Sequence, residues 1–196
     1  MKNLITGAAF IALLSLSITS SAQRVKLKEG DMSVLKNETS IRFEFTYNNM
    51  AVGKYKDEAD YLEKKKEDYN KKEPGRGDSW VKAWVNDRKD RFEPRFMELF
   101  TKYFQGTENQ NAKYTIIFNT WFTEPGYNIY VSRENAKISG DATIVETANK
   151  SKVIAVISVE KAPGRTFMGE DYDTGTRLAE SYASAGKALG KFIRNK

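Results

Sequence analysis

The most regular alternation of apolar and polar positions lies between residues 113 and 160. In 113–123, Tyr114, Ile116, Phe118 and Phe122 fall on one side of an extended chain. Thr115, Ile117, Asn119, Trp121 and Thr123 fall on the other. A period of two predicts a strand. Ile117 and Trp121 make its second face partly apolar, as expected of a central or doubly covered strand. Glu124, Pro125, Gly126 and Tyr127 then spell a type II turn, with proline presetting φ at the second position and glycine supplying the positive φ of the third. Residues 128–135 read as a short strand or an extended arm. In 136–147, Ile138, Gly140, Ala142 and Ile144 share one side, and 153–160 is nearly all β-branched, a composition suited to a buried strand. Asn149 and Lys150 supply a hairpin connection between them. The three runs predict an antiparallel meander.

Longer periods surround this core. Trp80, Val81, Trp84, Val85, Phe92, Phe96, Leu99, Phe100, Tyr103 and Phe104 recur at spacings of three and four, which predicts an aromatic-rich helical section. Pro94 must either kink it or open a second helix. In 174–196, Leu178, Tyr182, Ala185, Leu189, Phe192 and Ile193 form a broad apolar side. Ala179, Ala183, Gly186 and Gly190 form a second stripe of small residues. Each glycine costs about 1 kcal/mol of helix propensity, so close packing against a neighbour is the expected compensation. Residues 56–73 have the composition of a solvated helix with a thin stripe of Ala59, Leu62 and Tyr69. Its pairs Asp60–Lys64, Glu67–Lys71 and Asp68–Lys72 have the favourable acid-before-base spacing, about 0.3 kcal/mol each. Ser33, Val34 and Leu35 followed by 39–47 predict an edge or first strand, with Ile41, Phe43, Phe45 and Tyr47 inward. Residues 23–30, with Val25 and Leu27 alternating, read as a loose lead-in. The pattern as a whole predicts an α+β fold: an antiparallel or mixed sheet of about four to five strands, packed by the aromatic-rich helical section (54–112) and a C-terminal helix.

Composition sets the compartment. Lys2, the apolar run from Leu4 to Ile18, and Ser20, Ser21 and Ala22 match the three parts of a secretory signal peptide cut before Gln23. That assigns 1–22 as leader and 23–196 as a single α+β domain that is periplasmic or secreted after cleavage near Ala22. The leader is too short to rank as a spanning helix, and no second candidate follows. Removing it lowers the formal charge by one from +6, with cations and acids mixed rather than blocked, a pattern that argues against nucleic acid. The chain has no cysteine and no histidine. Disulfides, thiol nucleophiles, zinc–thiolate sites and iron–sulfur ligation are thereby excluded from its own residues. So are imidazole bases, Ser-His-Asp triads and HExxH sites. No cofactor and no metal is expected.

The candidates that remain sit in two loops. Tyr127, Tyr130, Phe167 and Tyr172 could form an aromatic contact surface, and Glu124, Glu170, Asp171 and Asp173 are the carboxylates beside it. The acidic group does not match a twelve-residue EF-hand loop, and Asp173 or Thr174 as a helix N-cap accounts for part of it. Arg76, Gly77, Asp78 and Ser79 spell an adhesion tetrapeptide, with a glycine loop capped by Asp78 or Ser79 as the structural reading. Trp80 and Trp84 are read as a core seam against the sheet.

The order of elements from residue 113 onward resembles the small α+β domains of envelope assembly proteins, the curli-secretion lipoproteins and the penicillin-binding-protein activator lipoproteins. The tail from Gly169 to Arg177, with Glu180, Ser181, Tyr182, Ala185, Gly186 and Lys187, resembles a pattern in secreted proteins of Bacteroidota, as does the turn from Glu124 to Tyr127 followed by Ala136. The resemblance implies a non-enzymatic binding or assembly protein acting on an envelope protein or cell-wall component. The chain lacks the lipid-attachment cysteine of those lipoproteins, and fold analogy alone assigns no function. Two alternatives stay open: a carboxylate-based hydrolase, and a small-ligand site near Trp80, Trp84 or Trp121. Oligomeric state is not encoded in any of these patterns.

Overall fold

Strand-period and helix-period runs sort into a mixed sheet with helices laid across one face. The structure, a computed structural model, describes residues 23–129, 132–164 and 174–196. The elements in chain order are β1 (Arg24–Gly30), a 3-10 turn (Ser33–Leu35), β2 (Ser40–Thr46), β3 (Ala51–Val52), α1 (Glu58–Asn70) and α2 (Arg76–Asp87). A π-helical turn (Arg88–Phe92) then runs directly into α3 (Glu93–Phe104), followed by β4 (Thr107–Glu108) and β5 (Tyr114–Glu124). The chain ends in β6 (Tyr127–Ile129), β7 (Ser132–Glu134), β8 (Ala136–Glu146), β9 (Asn149–Gly164) and α4 (Thr174–Arg194).

The main sheet has seven strands in the order β1-β9-β8-β5-β2-β4, with β3 beside β5, so it is larger than the four to five strands expected. The additions are elements that carry little pattern of their own. The lead-in 23–30 is the edge strand β1, antiparallel to β9. The polar loop after α3 contributes the two-residue β4. The meander β5-β8-β9 is antiparallel as expected, whereas β2 joins β5 in parallel. The turn between β8 and β9 falls at Thr147 and Ala148, two residues before the expected Asn149 and Lys150, which already belong to β9.

The helix face of the sheet holds the core. Phe43, Ile116, Phe118, Ile138, Ala142 and Ile144 from β2, β5 and β8 meet Phe96, Phe100 and Phe104 of α3 and Leu178, Tyr182 and Leu189 of α4. Burial of each large side chain contributes about 1.5–3 kcal/mol. Alternation in β5 changes phase at a bulge between Thr120 and Phe122. Thr120 and Thr123 are buried, while Trp121 is 36% exposed. The extra residue of a bulge shifts every later side chain by one face, which corrects the expected placement of Phe122 and Thr123.

The small-residue stripe of α4 does what its propensity cost requires. An added Cβ at Gly186 would collide with the carbonyl oxygen of Phe96, and one at Gly190 would sit 2.6 Å from that of Phe100. The two helices therefore pack backbone to backbone. In α1 the buried apolar residue is Tyr61, at 7% exposure, and Ala59 lies exposed. Lys64 pairs with Asp68 at 2.6 Å rather than with Asp60, and Lys71 reaches Glu67 at 3.9 Å. The Arg-Gly-Asp-Ser tetrapeptide is no loop. It is the first turn of α2, entered through Gly75 at φ 82. Gly77 donates its N–H to Asn70 Oδ1 at 2.7 Å, and Asp78 is held by Asn70 and Lys66.

Candidate functional site

Pro94 resolves both readings offered for it. The helix does not stop: one π turn precedes the proline, which occupies the first turn of α3. A wider turn accommodates a ring that would clash with the carbonyl four residues back, and it re-aims the side chains around it. Phe92 points inward and stacks on Tyr182, ring centroids 5.0 Å apart. Arg88 lies 4.0 Å above the Tyr47 ring and grips both oxygens of Glu58 at 2.5 Å. Trp84 Nε1 donates to the same Glu58 carboxylate at 2.6 Å. Trp80 stacks on Trp84, and Tyr61 packs against both, so the paired tryptophans are an aromatic seam. That seam joins α1 to α2 rather than α2 to the sheet.

The same turn places Lys89 and Glu93 beside the end of β2. Glu93 is only 5% exposed. Its carboxylate takes a hydrogen bond from Tyr47 Oη at 3.3 Å and an ion pair from Lys89 at 2.7 Å. Burial pushes the Tyr47 phenol far above its ordinary range, with Tyr182 and Glu93 adding to the shift and the Arg88 guanidinium opposing it. Tyr182, also raised by burial, shares a hydrogen bond with Thr120 at 2.8 Å. These side chains form one polar seam running out of the core toward the β2 edge.

At that edge the sheet is unfinished. β4 pairs with β2 only at Ser40 and Ile41. Thr39 and Ile41 accept from Thr107 and Asn109 through their carbonyls at 2.9 and 3.0 Å. Strand alternation then directs the backbone groups of Phe43 and Phe45 to the same side, where the ladder has ended. A groove of about 500 Å³ lies there, lined by Phe43, Phe45, Met97, Lys89, Glu93 and Glu108, with Glu44, Thr46 and Gln110 completing it. Its floor is aromatic: Phe45 meets Phe96 edge-on at 5.4 Å. Its rim is polar, with Gln110 donating to Glu108 at 2.6 Å. A strand edge that continues past the end of its ladder, beside a groove with an aromatic floor and a polar rim, is what strand addition requires.

Of the binding candidates named in the two loops, only Glu124 and Tyr127 are described, and neither lines this groove. Glu124 Oε1 accepts from the N–H of Gly126, whose φ of 71 fits the expected turn. Tyr127 is 43% exposed at the start of the small β6–β7 hairpin. Arg177 of α4 donates to the carbonyls of Pro125 and Gly126 at 3.3 and 3.4 Å, so the turn docks on the first part of the closing helix. Tyr130, Phe167, Glu170, Asp171, Tyr172 and Asp173 lie outside the described residues, as does the leader. Among the described residues, no cluster of three or more acids could hold a metal ion, and no helix is long and apolar enough to cross a membrane.

Sequence reasoning did not find the groove, although part of the signal was present. It named β2 an edge or first strand, and Lys89 and Glu93 stand four apart on a helix. Nothing local ties either to Glu108 and Gln110.

No protein-family model and no curated protein matches the chain. Among solved structures, a dodecamer of a single-residue variant of PelC from Paraburkholderia phytofirmans aligns at a TM-score of 0.39 and 13% identity. That alignment covers 85% of this chain and 99% of the other. The PelC dodecamer of the same organism aligns at 0.36 and 11% identity, over 84% and 97% of the two chains. Likeness at this level assigns neither fold nor role.

Proposed function

We propose that the protein is a secreted, non-enzymatic binding or assembly protein of the cell envelope that takes up an extended polypeptide segment at the open edge of β2. The observation that carries this reading is the early end of the β2–β4 ladder at Ile41, beside an aromatic-floored groove. Main-chain pairing to Phe43 and Phe45 supplies affinity, and the trough selects alternate side chains of the guest. The envelope location rests on the leader sequence. The non-enzymatic character rests on the missing imidazole and thiol groups.

The test is site-specific photo-crosslinking in intact cells, with the reactive residue at Gln110 on the groove rim and a control at Lys102 on the exposed side of α3. A discrete protein adduct from Gln110, absent from Lys102, is expected. No adduct from Gln110, or equal adducts from both, overturns the reading.

A further inference from the structure

The last turns of α3 and α4 carry a charge pattern that the groove at β2 does not use. Residues 99–104 and 181–196 hold five cations, Lys102, Lys187, Lys191, Arg194 and Lys196, and no aspartate or glutamate. All five are exposed. The nearest acids upstream on the two helices, Glu98 and Glu180, are both held by Arg95, at 2.6 and 2.9 Å. Acid and base are segregated along this helix pair, whereas in α1 they are mixed.

Close packing gathers the charges. Gly186 and Gly190 lie against the backbone of Phe96 and Phe100, so α3 and α4 run in the same direction. On α4, Lys187, Lys191 and Arg194 follow at spacings of four and three along one face. The Nζ atoms of Lys187 and Lys191 lie 5.1 and 4.8 Å from the centre of the Tyr103 ring, and that of Lys102 lies 5.9 Å from it. Three ammonium groups around one phenol ring repel one another. Among the described residues none of the five cations is in an ion pair. Each helix C-terminus offsets about half a charge, so about four of the five remain uncompensated.

The aromatic rings set the kind of partner. Tyr103 and Phe192 are half-buried among these lysines, and Lys196 lies 5.8 Å above the Phe192 ring. A phenol ringed by long lysines suits the boundary between lipid headgroups and water. The cations stand on the exposed face of a helix pair, outside the groove at β2, a shape that meets a planar surface rather than encloses a strand. We infer that the C-terminal ends of α3 and α4 dock the protein on an anionic lipid surface, with Lys102, Lys187 and Lys191 meeting headgroup phosphates around Tyr103. The contact is peripheral, since the apolar side of α4 packs into the core. It does not depend on strand addition at β2.

Vesicle co-sedimentation of the mature chain tests this. Vesicles of phosphatidylglycerol and phosphatidylcholine in equal parts should carry the protein down, and salt of about 0.5 M should release it. Vesicles of phosphatidylcholine alone should not bind it. Joint replacement Lys187→Glu and Lys191→Glu should weaken binding by about ten-fold or more, each cation near such a surface being worth about five-fold. Lys187→Arg with Lys191→Arg should preserve it. Lys65→Glu with Lys72→Glu is the control of equal charge change. Those lysines lie 5.8 and 5.7 Å from the Tyr69 ring, but among Glu67 and Glu73, which pair with Lys71 and Arg76, so binding should be largely unchanged. Circular dichroism verifies that both glutamate variants keep the parent fold. No sedimentation with the anionic vesicles, or equal binding to phosphatidylcholine alone, overturns the inference. So does equal loss from the two glutamate pairs, or retention on heparin by a protein that ignores the vesicles.

Discussion

Replacing Gly186 by alanine sets two opposed effects against each other, and the structure decides the sign. Alanine in the middle of α4 gains about 1 kcal/mol of helix propensity. Against this, the new methyl would overlap the Phe96 carbonyl oxygen and lie 2.9 and 3.1 Å from that residue's carbonyl carbon and Cα. The obstacle is backbone, and it cannot retreat. Phe96 is fully buried, with its ring against Phe43, Phe45 and Phe118, so α3 moves only by leaving the sheet. Overpacking of this kind costs about 1–3 kcal/mol. Backbone overlap places the cost near the top of that range, for a net loss of about 2 kcal/mol. In a domain of this size that lowers Tm by about 4–8 °C. Thermal and urea unfolding followed by circular dichroism measures it, with Gly175→Ala as the comparison. At Gly175 the nearest atoms are the ends of the Asp87 and Arg91 side chains, which can swing aside, so a distinctly smaller loss is expected. A Gly186→Ala protein as stable as the parent would refute the backbone-contact argument.

Other consequences follow from the polar seam. Tyr182→Phe keeps the stack on Phe92 but leaves the buried Thr120 hydroxyl without its 2.8 Å partner. It should cost about 1–2 kcal/mol in urea unfolding. Glu58→Gln removes the charge that Arg88 and Trp84 share, both carboxylate and guanidinium being under 20% exposed. A loss of about 2 kcal/mol and a shift in tryptophan fluorescence are expected. Burial raises the Tyr47, Tyr61 and Tyr182 phenols above the ordinary tyrosine value in the folded chain. Their folded pKa exceeds the unfolded one near 10, so this stability is complete below about pH 10 and is lost as pH rises beyond it. Tyrosinate absorbance should show at least these three of the 10 tyrosines silent until the circular dichroism signal collapses. Ionisation of all ten in the folded state would contradict it.

What could be read from sequence tracks where the pattern is long and one-sided. The inward residues of β2 and β8, the helical section and the α4 stripe each repeat often enough to declare a face. Their positions came out as expected, except that Val85 is 43% exposed and Trp80 and Trp84 pack on Tyr61 of α1 instead of the sheet. Pro94 was legible as a problem, but its solution by a π turn depends on the packing of Phe92 and Arg88. Elements held by their neighbours were not legible. β4 is two residues long and has no period, β1 is half polar, and Tyr61 became the buried residue of α1 because Trp80 and Trp84 came to lie against it. The phase change at Trp121 is a single inserted residue that no alternation count detects. The groove is the extreme case. Its lining comes from β2, the π turn, α3 and β4, brought together by a parallel pairing that local sequence does not specify. The turn from Glu124 to Tyr127, chosen from residue type, lies elsewhere.

The central claim is that the β2 edge is open in the lone chain and closed by a guest strand. Amide hydrogen exchange at Phe43 and Phe45, resolved by NMR, tests it most directly. In dilute protein these two amides should exchange far faster than that of Glu44, which points toward β5. They should become protected as a strand-bearing partner is added. Protection already complete in the dilute chain, or exchange that no partner slows, would contradict the account.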